Sequence, residues 1–345
     1  MSENKKKSKV KTTLLIIGAV ILAVIIGAGI YAYLYINRSF ESAETKTVII
    51  PKNSSEEALA DSLKVTLGDF GETVYNLWSL RGGKADKSEG IYRINPGEKA
   101  WDVSGQIIIG RSSTIKVTFN NVRLMSDFAK KVSKYFLWND EKFAATCDSI
   151  LTAKGYKAEE FPALFLPDTY QFFANATPEE VVNKLLDYHS RFWNKERTKK
   201  ASDLGLTPVE VATVASIVEE ESNSKAERPT IARLYLNRIH KGIKLEADPT
   251  VKYALGDFGL RRITLKQTKT PSPYNTYYTE GLPPGPIRIP EGATLDAVLD
   301  APENDFIFMC AKPDNSGTHN FSTTYAEHEK NARAYHEWLN SSGIK

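Results

Sequence analysis

Cysteine and histidine are scarce in this sequence. Two cysteines, Cys147 and Cys310, stand in 345 residues. Their separation fits neither a zinc ribbon nor a redox pair. They read as two buried apolar thiols, with a single disulfide as the alternative. The five histidines (His189, His240, His319, His328, His336) form no ligand cluster; only His328 and His336 share one helical stretch. There is no His-Glu-x-x-His and no Gly-x-Ser-x-Gly, which removes the zincin and serine-elbow classes. No metal and no cofactor is expected. An excess of one charge is missing as well. The net charge is +3, and residues 1–12 alone hold five lysines against Glu3, a tail of +4 that leaves −1 for the rest. So neutral a body lacks the basic surface that non-specific nucleic-acid binding needs, and no nucleic-acid partner is expected.

Long apolar runs are absent but for one. Leu14–Ile36 contains no charged residue. As a helix it would reach about 34 Å, against about 30 Å of bilayer hydrocarbon. Lysines precede it, and Tyr31, Tyr33 and Tyr35 lie at its far end, which places the N-terminus in the cytoplasm and the body outside. A cleaved signal peptide would have an apolar region of about 7–15 residues and a small-residue cut site. This run is longer and ends in Tyr35-Ile36-Asn37-Arg38, so an uncleaved anchor is expected.

What remains has 41% hydrophobic and 25% charged residues over the whole chain, enough for about two folded units. After a polar linker at 38–46, Thr47–Ile50 is strand-like and stops at Pro51. Asn53-Ser54-Ser55-Glu56 has the shape of a helix start, with Ala58, Leu59 and Leu63 as the apolar face. Gly90-Ile91-Tyr92-Arg93-Ile94-Asn95-Pro96-Gly97 reads as a strand ending in a Pro-Gly turn. Ile115–Phe119, then Ser126–Phe136, repeats strand-then-helix, a hint of two related α+β units. Helical patterns dominate from Leu124 onward, and the charged stretch Asp187–Lys200 reads as a solvated helix end or loop.

The chemistry concentrates at one helix end. Thr207-Pro208-Val209-Glu210 starts a helix with a capping residue, an N1 proline and a capping-box acid. It runs through Val218 into Glu219-Glu220-Glu221-Ser222. At about 100° per residue, Val211, Val214, Ala215 and Val218 form the buried stripe. Glu219 and Glu221 then fall at its two edges and Glu220 in solvent. Burial and the negative helix end both disfavour a charged carboxylate there, and a Glu with a raised pKa is what a general acid near neutral pH requires. A fully solvated acidic helix end is the competing reading. Arg228–Ile239 follows as a second helix, with Ile231, Leu234, Tyr235 and Ile239 as its apolar face. Two dense loops come next, Leu245–Tyr253 and Pro271–Tyr278, then Gly281–Ile287 with its prolines fixing the backbone. Tyr274, Asn275, Thr276 and Tyr277 mix flat apolar faces with hydrogen-bonding groups, a surface suited to sugar rings. A turn-rich structural loop is the alternative.

Taken in order, these segments resemble the YceG-like family, the endolytic murein transglycosylases. The resemblance rests on Ala215-Ser216-Ile217-Val218-Glu219-Glu220-Glu221-Ser222, Asn237-Arg238, Asp248-Pro249-Thr250-Val251 with Tyr253, Tyr274-Asn275-Thr276-Tyr277, Gly281-Leu282-Pro283-Pro284-Gly285-Pro286-Ile287, and Gly317-x-His319-x-Phe321 with a later His328. Phe165-Leu166-Pro167-Asp168-Thr169-Tyr170, Gly90-Ile91-Tyr92 and Pro96-Gly97 extend it upstream. It covers essentially the whole chain, tightly over 215–321 and loosely over 45–125. Two departures stand out: Pro162-Ala163-Leu164 replaces the acidic-Gly pair common before the Pro-Asp-Thr-Tyr segment, and Leu166 is inserted in that motif.

The resemblance implies an α+β protein with a basic cytoplasmic tail (1–12), a transmembrane helix (13–36), a small LysM-like unit (45–123) and a mixed α/β catalytic domain (124–345) carrying a helix-borne Glu. It implies peptidoglycan glycan strands as substrate, with Glu221 as the catalytic acid/base, Glu219 and Ser222 beside it, and no metal. Tyr274, Asn275 and Tyr277 are the expected sugar contacts. Asp248 and Thr250 are expected to orient the neighbouring loop, and His319 to have a positioning or structural role. Peptidoglycan synthases are candidate partners at the cell membrane. The alternative is a non-catalytic, membrane-anchored peptidoglycan-binding scaffold.

Overall fold

The computed structural model describes residues 2–51, 54–110, 112–260 and 262–341, with side chains from Thr13 on. The side chains of the lysine tail, and Asn53 of the expected helix start, lie outside the described residues. The protein mixes helices with three two-stranded sheets among these residues, an α+β architecture. It divides into two compact units. One takes the chain up to Ile115 together with Gln171–Asn175; the other takes Lys116–Tyr170 and everything from Ala176 on.

The first unit begins with α1 (Ser2–Ile36). Its segment Thr13–Ile36 is long and apolar enough to cross a membrane, with a mean hydropathy of 2.8. There follow β1 (Lys46–Ile50), α2 (Glu56–Leu67), α3 (Asp69–Leu80), β2 (Gly90–Ile94) and α4 (Ala100–Ile109). β1 and β2 are antiparallel, Lys46 opposite Ile94 and Ile50 opposite Gly90. Ser55 caps α2 by accepting from the Ala58 amide at 3.1 Å. Leu59 and Leu63 are buried as the pattern predicts, whereas Ala58 is exposed. Gly68, at φ 60°, ends α2 and starts α3. Two helices joined by one residue must cross closely, and a Cβ on Gly71 would stand 2.1 Å from the Leu63 carbonyl oxygen. The core is Val48, Ile50, Leu59, Leu63, Val74, Leu77, Trp78, Tyr92 and Ile94, with Val103 and Ile107 from α4.

The chain continues through β3 (Thr114–Phe119), α5 (Met125–Ser133), α6 (Asp140–Ala153), β4 (Asp168–Phe173), α7 (Pro178–Phe192), α8 (Lys195–Asp203), α9 (Pro208–Glu221), α10 (Arg228–His240), α11 (Asp248–Leu255), α12 (Gly292–Leu299), β5 (Phe308–Ala311), β6 (His319–Ser322) and α13 (Tyr325–Ser341). Asp187–Lys200, read from sequence as a solvated helix end or loop, is the end of α7 and most of α8.

α9 is the axis of the second unit. Thr207 Oγ1 accepts from the Glu210 amide at 3.2 Å, and the Thr207 amide donates to Glu210 Oε2 at 2.7 Å. With Pro208 in the first turn this is the expected start. The one-sided stripe, however, does not hold. Every residue from Val211 to Glu219 is buried, because α10, α11, α12 and the turn at 158–164 surround the helix. A helix with small or apolar residues on all sides is a core helix. Ile287 is drawn onto it, its amide donating to the buried Ser216 Oγ at 3.0 Å. Gly285 passes so close to Glu159 that a Cβ would sit 1.9 Å from that carbonyl oxygen.

Candidate active site

Three consecutive glutamates at the end of α9 point in three directions and meet three environments. Glu219 turns into the core. Its Oε2 accepts from the Thr294 hydroxyl at 2.8 Å and the Glu291 amide at 2.9 Å. Arg288 Nη2 lies 2.9 Å from its Oε1, as an ion pair rather than an aligned hydrogen bond, and Arg228 Nη1 lies 3.8 Å from Oε2. Glu220, expected in solvent, is instead clamped by Arg123 and Arg288, each at 2.7 Å, with its side chain only 14% exposed. The reason is that α9 is surrounded, so the face opposite the supposed stripe meets protein instead of water.

Glu221 meets a cavity. The open space, about 430 Å³, is lined by Glu221, Tyr235 and Arg238 on one side and by Asp248, Tyr277 and Glu246 on another. That volume suits a ligand the size of a few sugar rings or less. The Tyr235 hydroxyl donates to Glu221 Oε1 at 2.6 Å. Burial pushes the Glu221 carboxyl up to about 7, the negative charge of Asp248 adds to the rise, and the Tyr235 hydrogen bond opposes it. A carboxyl poised there holds its proton half the time near neutral pH and can both give and take one.

The remaining wall comes from the β5–β6 hairpin and α13. In β5–β6, Phe308 lies opposite Ser322 and Ala311 opposite His319. His319 faces the cavity, and its backbone N–H and Nδ1 both address Glu227, at 2.7 and 3.2 Å. Glu227 Oε2 also accepts from the Ser222 hydroxyl at 3.3 Å. Thus Ser222, which ends α9, and His319 share one carboxylate. Arg238 crosses to Glu246 and donates to the Ile307 carbonyl at 2.8 Å, tying α10 to the start of the hairpin.

The structure therefore gathers Glu221, Asp248, Tyr277 and His319 around one cavity. Tyr277 Oη donates to Asp248 Oδ1 at 2.8 Å. The other expected site residues lie elsewhere. Thr250 is fully buried, bonded to the Ala247 carbonyl at 2.6 Å and to Thr276 Oγ1 at 2.8 Å. Asn275 is fully buried too; its amide donates to the carbonyls of Thr268 and Thr270 at 3.0 and 2.8 Å, and its Oδ1 accepts from the Tyr277 amide at 3.0 Å. Buried polar groups are held by such internal partners, so both residues shape the loop and neither reaches the cavity. Tyr274 packs on the core, its ring 4.7 Å from that of Tyr253. Glu219 and Ser222 support the helix end from behind. Leu245–Tyr253, read as a loop, contains α11, with Asp248 in its first turn and Pro249 behind it. Both cysteines are free. Cys147 is buried as expected, but Cys310 is only partly buried because it lines the cavity.

Tyr235, Arg238 and Glu246 also line the cavity, and Glu227 holds His319 at its wall; sequence reasoning gave none of them a part there. The helical pattern marks Tyr235 as apolar face alone, although a buried tyrosine hydroxyl must find a partner, and Glu221 is that partner.

Among known proteins, the profile of the YceG-like family matches residues 48–334. A relative named endolytic murein transglycosylase from Bacillus subtilis (strain 168) is 26% identical, over 86% of this chain and 86% of that protein. One of the same name from Streptococcus pneumoniae serotype 2 (strain D39) is 22% identical, over 90% of this chain and 63% of its own length. A crystal structure of a yceG-like protein from Listeria monocytogenes matches with a TM-score of 0.54 at 24% identity, over 84% of this chain and 99% of that one; it speaks to the fold.

Proposed function

The chain belongs to the YceG-like family, and we propose that it is a membrane-anchored lytic transglycosylase that cuts peptidoglycan glycan strands from within, with Glu221 as its acid/base. The observation that carries the assignment of Glu221 is its placement: of the three acids ending α9, Glu219 and Glu220 are neutralised by arginines, and Glu221 alone faces the cavity.

The bond cut is the β-1,4 link from N-acetylmuramic acid to N-acetylglucosamine. Protonated Glu221 gives its proton to the glycosidic oxygen, which leaves as the hydroxyl of the departing sugar. The 2-acetamido group supports the positive charge that develops at C1, a recognised substitute for a second carboxylate. Asp248, held by Tyr277, adds negative charge to the same cavity. The Glu221 carboxylate then takes the proton of the muramyl 6-hydroxyl as that oxygen closes on C1. The product is a 1,6-anhydro end, water is not consumed, and Glu221 is protonated again. A carboxyl near 7 suits both half-steps.

We read α1 as an uncleaved span with its N-terminus in the cytoplasm and the two units outside, and residues 45–123 as a LysM-like unit ahead of the catalytic domain at 124–345. A body that starts so close to the span works on strands near the membrane, where new peptidoglycan is made; peptidoglycan synthases are the partners this position implies. Cleavage there ends the elongation of a strand.

The test is a digest of purified glycan strands by the full chain in detergent, with products read by mass spectrometry. Anhydro-muramyl ends support the transglycosylase. Reducing ends mean that water, not the 6-hydroxyl, is the nucleophile. Binding without cleavage would return the protein to the scaffold reading.

A further inference from the structure

Glu227, the residue before α10, gathers three donors. Its Oε1 accepts from the His319 amide at 2.7 Å. Its Oε2 lies 3.2 Å from His319 Nδ1 and accepts from the Ser222 hydroxyl at 3.3 Å. Ser222 Oγ itself accepts from the Ser224 amide at 3.1 Å, so its proton is directed at Glu227. A carboxylate has only acceptor oxygens, so the proton between Glu227 and His319 belongs to Nδ1. The bond made by one ring nitrogen sets the form of the other. In the neutral ring Nε2 is then a bare acceptor.

The ring is held at the cavity wall. His319 and Phe321 project from the same face of β6, and Phe321 packs on the core around α9 and α10. That face is turned to the body: the His319 side chain is only 14% exposed, and the residue lines the cavity that holds Glu221. Nδ1 is spent on Glu227. Nε2 has no partner among the described residues and is not sealed in the interior.

The other cavity residues show what such an acceptor would meet. Tyr235 and Tyr277 give their hydroxyl protons to Glu221 and Asp248. Arg238 is taken up by Glu246 and by the Lys244 and Ile307 carbonyls. These donors are spent within the protein, while the carboxylates of Asp248 and Glu246 stay at the wall. A lining of this kind repels an anion and accepts from neutral hydroxyls.

We infer that His319 is a substrate-binding residue: its Nε2 accepts a hydrogen bond from a hydroxyl of the sugar seated against Glu221, and Glu227 is the positioning residue that keeps Nε2 free of its proton. This rests on the cavity being the glycan site. Ser222 directly follows Glu221, so one carboxylate sets the place of both the acid and the hydroxyl acceptor.

The test uses the full chain in detergent with isotope-labelled histidine, its ring nitrogens read by NMR at pH 8. Glu221→Gln lets strands bind without being cut, and His319→Asn assigns the His319 signals by their loss. The ring should show a protonated Nδ1 and a bare Nε2, and purified glycan strands should shift the Nε2 signal. In Glu227→Ala the proton should move towards Nε2, which an unconstrained imidazole favours; an unchanged His319 there overturns the part given to Glu227. Asparagine can replace the Nδ1–H donor towards Glu227 but has nothing at the place of Nε2. With Glu221 intact, His319→Asn should therefore raise KM for strand cleavage about 5- to 10-fold with kcat nearly held, at an unchanged Tm. A wild-type KM in His319→Asn makes the residue structural and overturns the inference. So does a proton found on Nε2, or an Nε2 signal that bound strands leave unmoved although the Glu221 chain cuts them; in each case the reading of the cavity stands. No shift together with no cutting by the Glu221 chain overturns that reading and the inference together.

Discussion

The Tyr235 hydroxyl donates a 2.6 Å hydrogen bond to Glu221 Oε1. It joins the middle of α10 to the last residue of α9, so the candidate acid does not hang free at a helix end. The bond fixes the carboxyl rotamer and stabilises its charged form, against burial, which favours the neutral one.

Tyr235→Phe keeps the ring and deletes the bond. It should cut kcat by about 10- to 100-fold through lost orientation. The carboxyl then loses a contact that lowers its pKa, so the alkaline limb of the rate profile moves to higher pH. A pH profile of glycan cleavage reads both effects.

Asp248→Asn should move that limb the other way. The Asp248 charge raises the Glu221 pKa, and removing it makes Glu221 easier to ionise. The limb shifts to lower pH, and turnover falls as well if Asp248 supports developing positive charge. Opposite shifts in the two variants would identify the titrating group as Glu221.

Glu221 should also cost stability. Its pKa is about 7 in the fold against a reference value of 4.5. A carboxyl raised on folding destabilises the native state progressively as pH climbs from about 4.5 to about 7, by about 3 kcal/mol at most. Glu221→Gln should therefore be more stable than wild type at pH 8, with a higher Tm, and the difference should vanish near pH 4. Thermal melts of both proteins across this range provide the comparison.

Glu219 should behave differently. Glu219→Gln removes one carboxylate from a buried cluster in which Arg288 keeps Glu220 and Arg228 keeps Glu291, a loss of charged hydrogen bonds that destabilises by about 1–3 kcal/mol. Urea unfolding should show that loss, while the surviving folded enzyme keeps the wild-type alkaline limb.

The start of the helix at 208–221 was legible in the sequence to the residue, because capping chemistry is local: Thr207, Pro208 and Glu210 announce it without help from the rest of the chain. β1 and β2 were legible as strands but not to the residue, and the start of α2 as a run of capping side chains among which the fold uses Ser55. The environment of each glutamate was not legible in the same way. A wheel drawn on one helix assumes one wet face, and α9 has none, so Glu220 came out solvated when Arg123 and Arg288, 97 and 68 residues away, hold it. The Tyr/Asn loop shows the limit of composition. Tyr277 lines the cavity and Asn275 lies beneath it, though both suit a sugar equally well as residue types. Hydrogen bonds from the Asn275 side chain to the Thr268 and Thr270 carbonyls decided which was which, and such pairings exist only once the loop has folded.

The central claim is that Glu221 alone, of three adjacent acids, carries the proton. The direct measurement is single-turnover cleavage of glycan strands by Glu221→Gln beside Glu219→Gln, each shown to be folded by circular dichroism. The account predicts that Glu221→Gln forms anhydro-muramyl ends at least about 100-fold more slowly than wild type, while folded Glu219→Gln still forms them. Anhydro ends from Glu221→Gln at the wild-type rate, with Glu219→Gln inactive though folded, would contradict it.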